Sequence, residues 1–322
     1  MLNRRLFLTG ASAAMLAGPR RVAAAEPLTL WGPPAAPSIV LAKAAADGLP
    51  KSVAAAAIFK VWKTPDEMRA GLSSGSMAAV VVPTYVAANL YNRGLGVRLV
   101  NVLTNGLLYV VARAGTVTDI AGLKGKRVAV PFRNDMPDYI LRRLLAAARL
   151  SPNDLTIDYS ASPPEAVQML MAGRADAALL SEPASSAVIA RASSFGKTLE
   201  RVIDCQKAWG ETQGNATLPQ AGLVVTDAFI AGRGADSVAV LERALETAMQ
   251  AVVKDPAAAA ATAASVLELP APIIERSIPF SNLVVRPASA ARADLEPFFK
   301  VLAEQDPRII GGKLPDDRFY AL

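Results

Sequence analysis

The chain has 322 residues, 52% hydrophobic but only 6% aromatic, enough length and apolar content for two packed units. It has no histidine and one cysteine, Cys205, so Ser-His-Asp and Cys-His catalysis, H-E-x-x-H zinc chemistry, His-ligated metals and internal disulfides are excluded. The net charge of +6 leans on Arg4, Arg5, Arg20 and Arg21 in an acid-free opening stretch; the remainder carries 30 basic against 28 acidic residues, too even for a nucleic-acid surface.

Residues 1–25 read as an export signal. Asn3-Arg4-Arg5-Leu6-Phe7-Leu8 resembles the twin-arginine motif of bacterial Tat signal peptides, and Ala23-Ala24-Ala25 suits cleavage before Glu26. The apolar segment 6–17 is about a dozen residues where a bilayer span needs roughly 20. A soluble periplasmic protein without stable membrane insertion is therefore expected after cleavage.

Residues 28–31 form the first predicted strand, ending at Trp31. The loop 32–38 is stiffened by Pro33, Pro34 and Pro37, and Ser38 is positioned to cap the helix 39–46. Such a strand–loop–helix unit offers free backbone N–H groups at the carboxyl end of a sheet, which suits a ligand oxygen; a rigid connector is the other reading. Trp31, Pro34 and Ser38 are the first candidate ligand contacts.

After a strand at 58–62 comes TPDEMRAGLSSGSMAAVVVP, residues 64–83, with an echo 98 positions later in 162–183, SPPEAVQMLMAGRADAALLSEP. Both open on a capping box, Thr64 with Glu67 and Ser162 with Glu165, in which the Glu reaches back to the cap's own N–H. Pro65 and Pro163 take the first helical position, Leu72 and Leu170 match, and Gly75 and Gly173 end each helix in a left-handed residue. A short apolar run then reads as a buried parallel strand. Two copies of this unit predict two similar α/β lobes.

Thr84 is a candidate cap and Tyr85 a candidate stacking ring where the first copy ends. Strands at 97–102 and 107–112 are parted by a turn at Asn105-Gly106, with Thr104 and Asn105 as polar candidates. From residue 118 a capped turn feeds a strand ending near 130. Its loop carries Arg133, Asn134 and Asp135 into a helix over 138–150, and a helix N-terminus beside an arginine suits an anionic group. A strand at 155–159 leads to the second copy, whose strand end presents Glu182. Beyond 203 the stretch 204–219 reads as an irregular return crossing, with Asn215 and Gln220 as further candidates, and 221–225 as a strand. Helices follow at 238–253, 256–267, 272–277 and 289–303, the last kinked at Pro297. The tail 314–320 is anchored by Phe319 or Tyr320. Neither Gly94-Leu95-Gly96 nor Gly311-Gly312-Lys313 completes a nucleotide fingerprint, so no cofactor is expected.

The segments D-x-x-G-L-K-G-K-R-V-A-V at 119–130 and P-P-E-A-x-x-x-x-x-x-G-R-A-D-A at 163–177, with Glu182-Pro183, resemble the solute-binding proteins of ABC importers for nitrate, sulfonates, taurine and thiamine precursors. Gly122 stands where that family more often has Asp. The resemblance implies a bilobal, type II periplasmic-binding-protein-like α/β fold: one lobe from 26–112 plus 222–322, a second from 113–221, and hinges near 112–115 and 213–220. It also implies a monomer that binds a sulfonate-, pyrimidine- or aromatic-acid-like solute between the lobes, passes it to a membrane permease, and performs no chemistry. Family members that hold inorganic anions use a histidine, so its lack here points away from nitrate and bicarbonate. The alternatives are an enzyme on the same fold using Asp135 and Glu182 as acid and base, or a binding subunit for a sensor kinase.

Overall fold

The computed structural model describes residues 26–214 and 217–320. Its strands are β1 (Leu28–Gly32), β2 (Ala57–Val61), β3 (Ala79–Pro83), β4 (Val97–Thr104), β5 (Leu108–Arg113), β6 (Arg127–Pro131), β7 (Thr156–Ser160), β8 (Ala177–Ser181), β9 (Leu199–Asp204), β10 (Ala221–Thr226) and β11 (Leu283–Pro287). The helices are α1 (Pro37–Asp47), α2 (Pro65–Ser74), α3 (Thr84–Asn92), α4 (Met136–Ala147), α5 (Pro163–Met171), α6 (Ala184–Ser194) and α7 (Cys205–Gln213). They continue with α8 (Asp227–Arg233), α9 (Ala235–Lys254), α10 (Pro256–Leu267), α11 (Ala271–Ser277), α12 (Ala288–Gln305) and α13 (Asp317–Tyr320). The signal-peptide reading of 1–25 lies outside the described residues.

Two mixed sheets result, one ordered β11-β4-β10-β3-β1-β2 and the other β7-β6-β8-β5-β9. The repeat seen at the two capping boxes extends through the whole β-α-β-α-β unit. Leu30 pairs Ala79 in the first sheet as Val128 pairs Ala177 in the second, and Thr29 pairs Ile58 as Arg127 pairs Thr156. Each member lies 98 positions from its counterpart, so the two sheets share one register. Thr64 and Ser162 both accept from the N–H three residues on, and Gly75 and Gly173 are both left-handed. One detail differs from the sequence expectation: Glu67 and Glu165 take the N–H of Lys63 and Ala161, one residue before the cap.

In each sheet one antiparallel strand is inserted, and it comes from the other half of the chain. β10 lies between β3 and β4, and β5 lies between β8 and β9. The stretch 107–112, expected in the first lobe, therefore belongs to the second sheet, and Asn105-Gly106 is a crossing between sheets, not a hairpin turn. In the second sheet the first five residues of β5 are all buried, and β8 and β9 pair the backbone groups on both of its edges. At the crossing the Asn105 N–H bonds Asn282 O, the Leu107 N–H bonds Gln220 Oε1, and Gly106 takes φ 117°.

Further differences are local. Ser38 and Thr84 cap nothing; their hydroxyls donate to Pro33 O at 2.5 Å and Pro219 O at 2.6 Å. The stretch after Asp204 is helical, because Asp204 caps α7 through the N–H groups of Gln206 and Lys207 while Cys205 and Trp209 bury one turn apart. Helix α12 runs on through Pro297, held by the buried Leu295, Phe298, Phe299 and Leu302. Phe319 and Tyr320 are both buried and close the tail. Among the described residues no single helix is long and apolar enough to cross a membrane.

Candidate ligand-binding cleft

A cavity of about 110 Å³ opens between the carboxyl ends of β1 and β3 in one sheet and β6 and β8 in the other. Its wall contains repeat-related pairs: Pro34 and its counterpart Phe132, Pro65 and Pro163, and Pro83 and Ser181. Strand ends and helix N-termini meet there because each β-α unit turns over at that edge. Prolines fix those turns and keep the wall apolar. Trp62, Met68 and Met136 add side-chain bulk, and Trp62 Nε1 is already committed to Val81 O at 3.0 Å. Leu107 and Gln220, at the two sheet-to-sheet crossings, also line it.

Among the described residues Asp135 is the one ionisable side chain in this wall. It is buried, and Oδ1 accepts from the Met136 N–H at 2.7 Å, capping α4, and from Tyr85 Oη at 2.6 Å. Arg69 Nη2 bonds the other oxygen at 3.3 Å. Arg69 and Tyr85 stand on α2 and α3, so this node ties helices of the first sheet to the start of α4 on the second. Burial pushes the Tyr85 phenol well up, and the Asp135 charge pushes it further. A second tie is backbone: the Ala36 N–H bonds Glu182 O at 3.0 Å.

Of the sequence candidates, Pro34, Asp135 and Gln220 line the cavity, and Tyr85 adjoins it through Asp135. Glu182 does not reach it with a free carboxylate. Its side chain is fully buried, with Oε1 at 2.7 Å from Arg201 Nε and Oε2 accepting from Ser186 Oγ at 2.8 Å and Ser186 N–H. Burial raises the Glu182 carboxyl above its ordinary pKa, and Arg201 and Ser186 pull it back. The structure thus spends Glu182 on an internal ion pair, where an aim into the cleft was expected. Trp31 sits outside the cavity with Lys60 Nζ 5.6 Å from its ring, and Ser38 and Thr84 are buried beneath the wall. Thr104 donates to Ser281 O, and Asn105 lies at the crossing behind. Arg133 is exposed and lies over Tyr159, while Asn134 lines a neighbouring cavity. Asn215 lies outside the described residues.

Trp62, Phe132, Met136 and Pro163 are wall residues that the sequence reading did not name as ligand contacts. The repeat held the signal for Phe132, the counterpart of the candidate Pro34; Pro163 was read only as a helix-starting residue.

A model of the NMT1-like family matches residues 56–267. No curated protein matches the sequence. Among solved structures, an ABC transporter protein from Parabacteroides distasonis is similar at TM-score 0.76 and 22% identity, over 93% of this chain and 99% of that one. The periplasmic aliphatic sulphonate binding protein SsuA from Escherichia coli is similar at TM-score 0.72 and 18% identity, over 92% and 97%. The alkanesulfonate-binding protein SsuA from Xanthomonas axonopodis pv. citri, bound to MOPS, is similar at TM-score 0.67 and 22% identity, over 92% and 98%.

Proposed function

Because the chain belongs to the NMT1-like family and folds like the binding proteins of ABC importers, we propose that it is the periplasmic receptor of an ABC importer. It captures a small organic solute in the cleft between its sheets and delivers it, unchanged, to a membrane permease. The first lobe is the six-stranded sheet with its helices, the second the five-stranded sheet, and opening turns at the crossings 105–107 and 217–220. The residues 1–25 direct export, and the receptor acts as a monomer.

The observation that carries this reading is the wall of the cleft: paired strand ends from two related units enclosing an apolar space with, among the described residues, one carboxylate, Asp135, and no lysine or arginine. A pocket of that kind favours a flat, apolar solute with a neutral or weakly basic polar edge. Of the classes the sequence suggests, a pyrimidine-like solute fits better than a sulfonate or an aromatic acid, whose anion would meet no basic side chain there. The carboxylates that acid–base chemistry would need are held by Arg69 and Arg201, which supports binding over turnover.

Native mass spectrometry of freshly purified protein identifies a retained solute, and a thermal-shift panel ranks candidates. A solute at a hundredfold excess over Kd should add roughly 2.7 kcal/mol of stability. Phe132→Ala should weaken it by roughly tenfold or more, as for other aromatic anchors at the centre of an interface. A panel in which only sulfonates stabilise the protein, or a solute that is consumed, would overturn the reading.

A further inference from the structure

The geometry points to a second binding site, for a compact multiply charged oxyanion such as a polycarboxylate or a phosphate. It is a cavity of about 540 Å³ beside the cleft, lined by Arg69 of α2, by α3 and Arg93 just after it, by residues 134–142 around the start of α4, and by residues 305–309 at the end of α12 and beyond. It shares no lining residue with the apolar cleft, and Asp135 with its two partners stands between them.

Four arginines line it: Arg69, Arg93, Arg142 and Arg308. Arg93 is exposed, and among the described residues its guanidinium makes no hydrogen bond or ion pair. The other three have carboxylate partners, yet each keeps donor capacity. Arg142 bonds Asp138 through Nε and Nη2, and Arg308 bonds Asp306 through Nε and Nη2; neither uses Nη1. Arg69 Nη1 lies 3.7 Å from the exposed Asp66, beyond hydrogen-bond reach. Asp306, held by Arg308, is the one carboxylate in the same wall among the described residues, and the Asn89 amide is spent on Arg308 O and Ile309 O. Planar guanidinium forks match carboxylate and phosphate oxygens, and several at one concavity favour an occupant with more than one negative charge. The volume is that of a small-molecule site, about five times the cleft beside it. Arg69 lies on α2 and Arg93 just after α3, both on the first sheet, and Arg142 lies on α4 on the second, so an occupant would also brace the two sheets against each other.

The test is calorimetric titration of the purified protein with citrate and, separately, inorganic pyrophosphate at low and moderate salt. Saturable binding of one equivalent of either probe is expected, weakening as salt rises. Arg93→Gln removes a side chain without partners and should fold normally while weakening the probe roughly tenfold, the loss of one charge-assisted contact. Phe132→Ala, in the cleft, should leave probe affinity unchanged, which separates this site from the solute site. Absence of saturation by both probes at 10 mM (about the upper limit of a useful site), equal affinity in Arg93→Gln, or loss of binding in Phe132→Ala would each overturn the proposal.

Discussion

Glu182 and Arg201 illustrate how a single residue's role depends on a partner that spacing along the chain does not reveal. Glu182 closes β8 at a position that faces the cleft in the simple reading, and Arg201 lies mid-strand on β9, two strands away across β5. Only the insertion of β5 between β8 and β9 brings them together. Arg201 also lies over the ring of Phe280, 3.7 Å from its centroid, so its stem packs as well as its charge. Arg201→Met keeps much of that packing and leaves Glu182 buried without a counter-ion. The cost at pH 7.5 should be roughly 3–5 kcal/mol. Its sign with pH follows from burial. An acid whose pKa is raised by folding contributes stability below its unfolded value, near 4.3, and loses it as pH rises through the folded value. Removing Arg201 enlarges that rise. Urea unfolding at pH 5 and pH 7.5 should therefore show a small deficit in the variant at the lower pH and the full deficit at the higher. A deficit independent of pH would mean that lost packing, not the stranded carboxylate, sets the cost.

Elements whose signals are local were legible in the sequence: the two capping boxes, the prolines at the first helical turn, the left-handed glycines and the buried runs of β3 and β8. Elements decided by long-range pairing were not. The run 107–112 has the same apolar texture whether it pairs with β4 or crosses to the other sheet, and nothing nearby distinguishes the two. Helix α7 was missed because its cap, Asp204, ends a strand, and its polar face reads as loop. The crossing strand β10 depends on a glycine for a reason also invisible in sequence. A Cβ on Gly222 would stand 2.1 Å from Asn101 O and 2.9 Å from Leu99 Cδ1, both on β4. The carbonyl is backbone and cannot rotate away, so Gly222→Ala should force β10 from β4 and cost about 3 kcal/mol, the upper end of overpacking penalties. Gly232→Ala, in helix α8 where the added carbon meets nothing within 4 Å, is the control and should not destabilise, gaining up to about 1 kcal/mol from helix propensity. Equal denaturation midpoints for the two variants would contradict this account of the crossing.

Two sheets and two crossings suggest two folding units, but the packing joins them. One hydrophobic cluster contains Val82 and Tyr85 beside the first sheet, Val130 and Leu141 beside the second, and Phe298 and Phe299 of α12. Helix α12 leaves the first sheet's edge strand β11 and packs Phe298 on Trp209 of α7, ring centroids 5.6 Å apart. Gln305 then bonds Tyr139 O, and Glu304 pairs with Arg143, both on α4. A shared apolar flank of this kind makes the units lean on each other, because unfolding one would expose surface that belongs to both. Thermal unfolding should therefore be a single transition despite the two-lobed plan. The tryptophans report on it separately: Trp31 and Trp62 lie on the first unit and Trp209 on α7 in the second. Variants retaining only Trp62 or only Trp209 can be followed by fluorescence beside far-UV circular dichroism. Coincident midpoints within each variant are expected, and a cleft ligand should shift both probes together. If the Trp209 signal melted several degrees apart from the circular dichroism while the Trp62 signal did not, the flank through α12 would be too weak to couple the halves. Closure would then be motion between independent bodies, not bending within one.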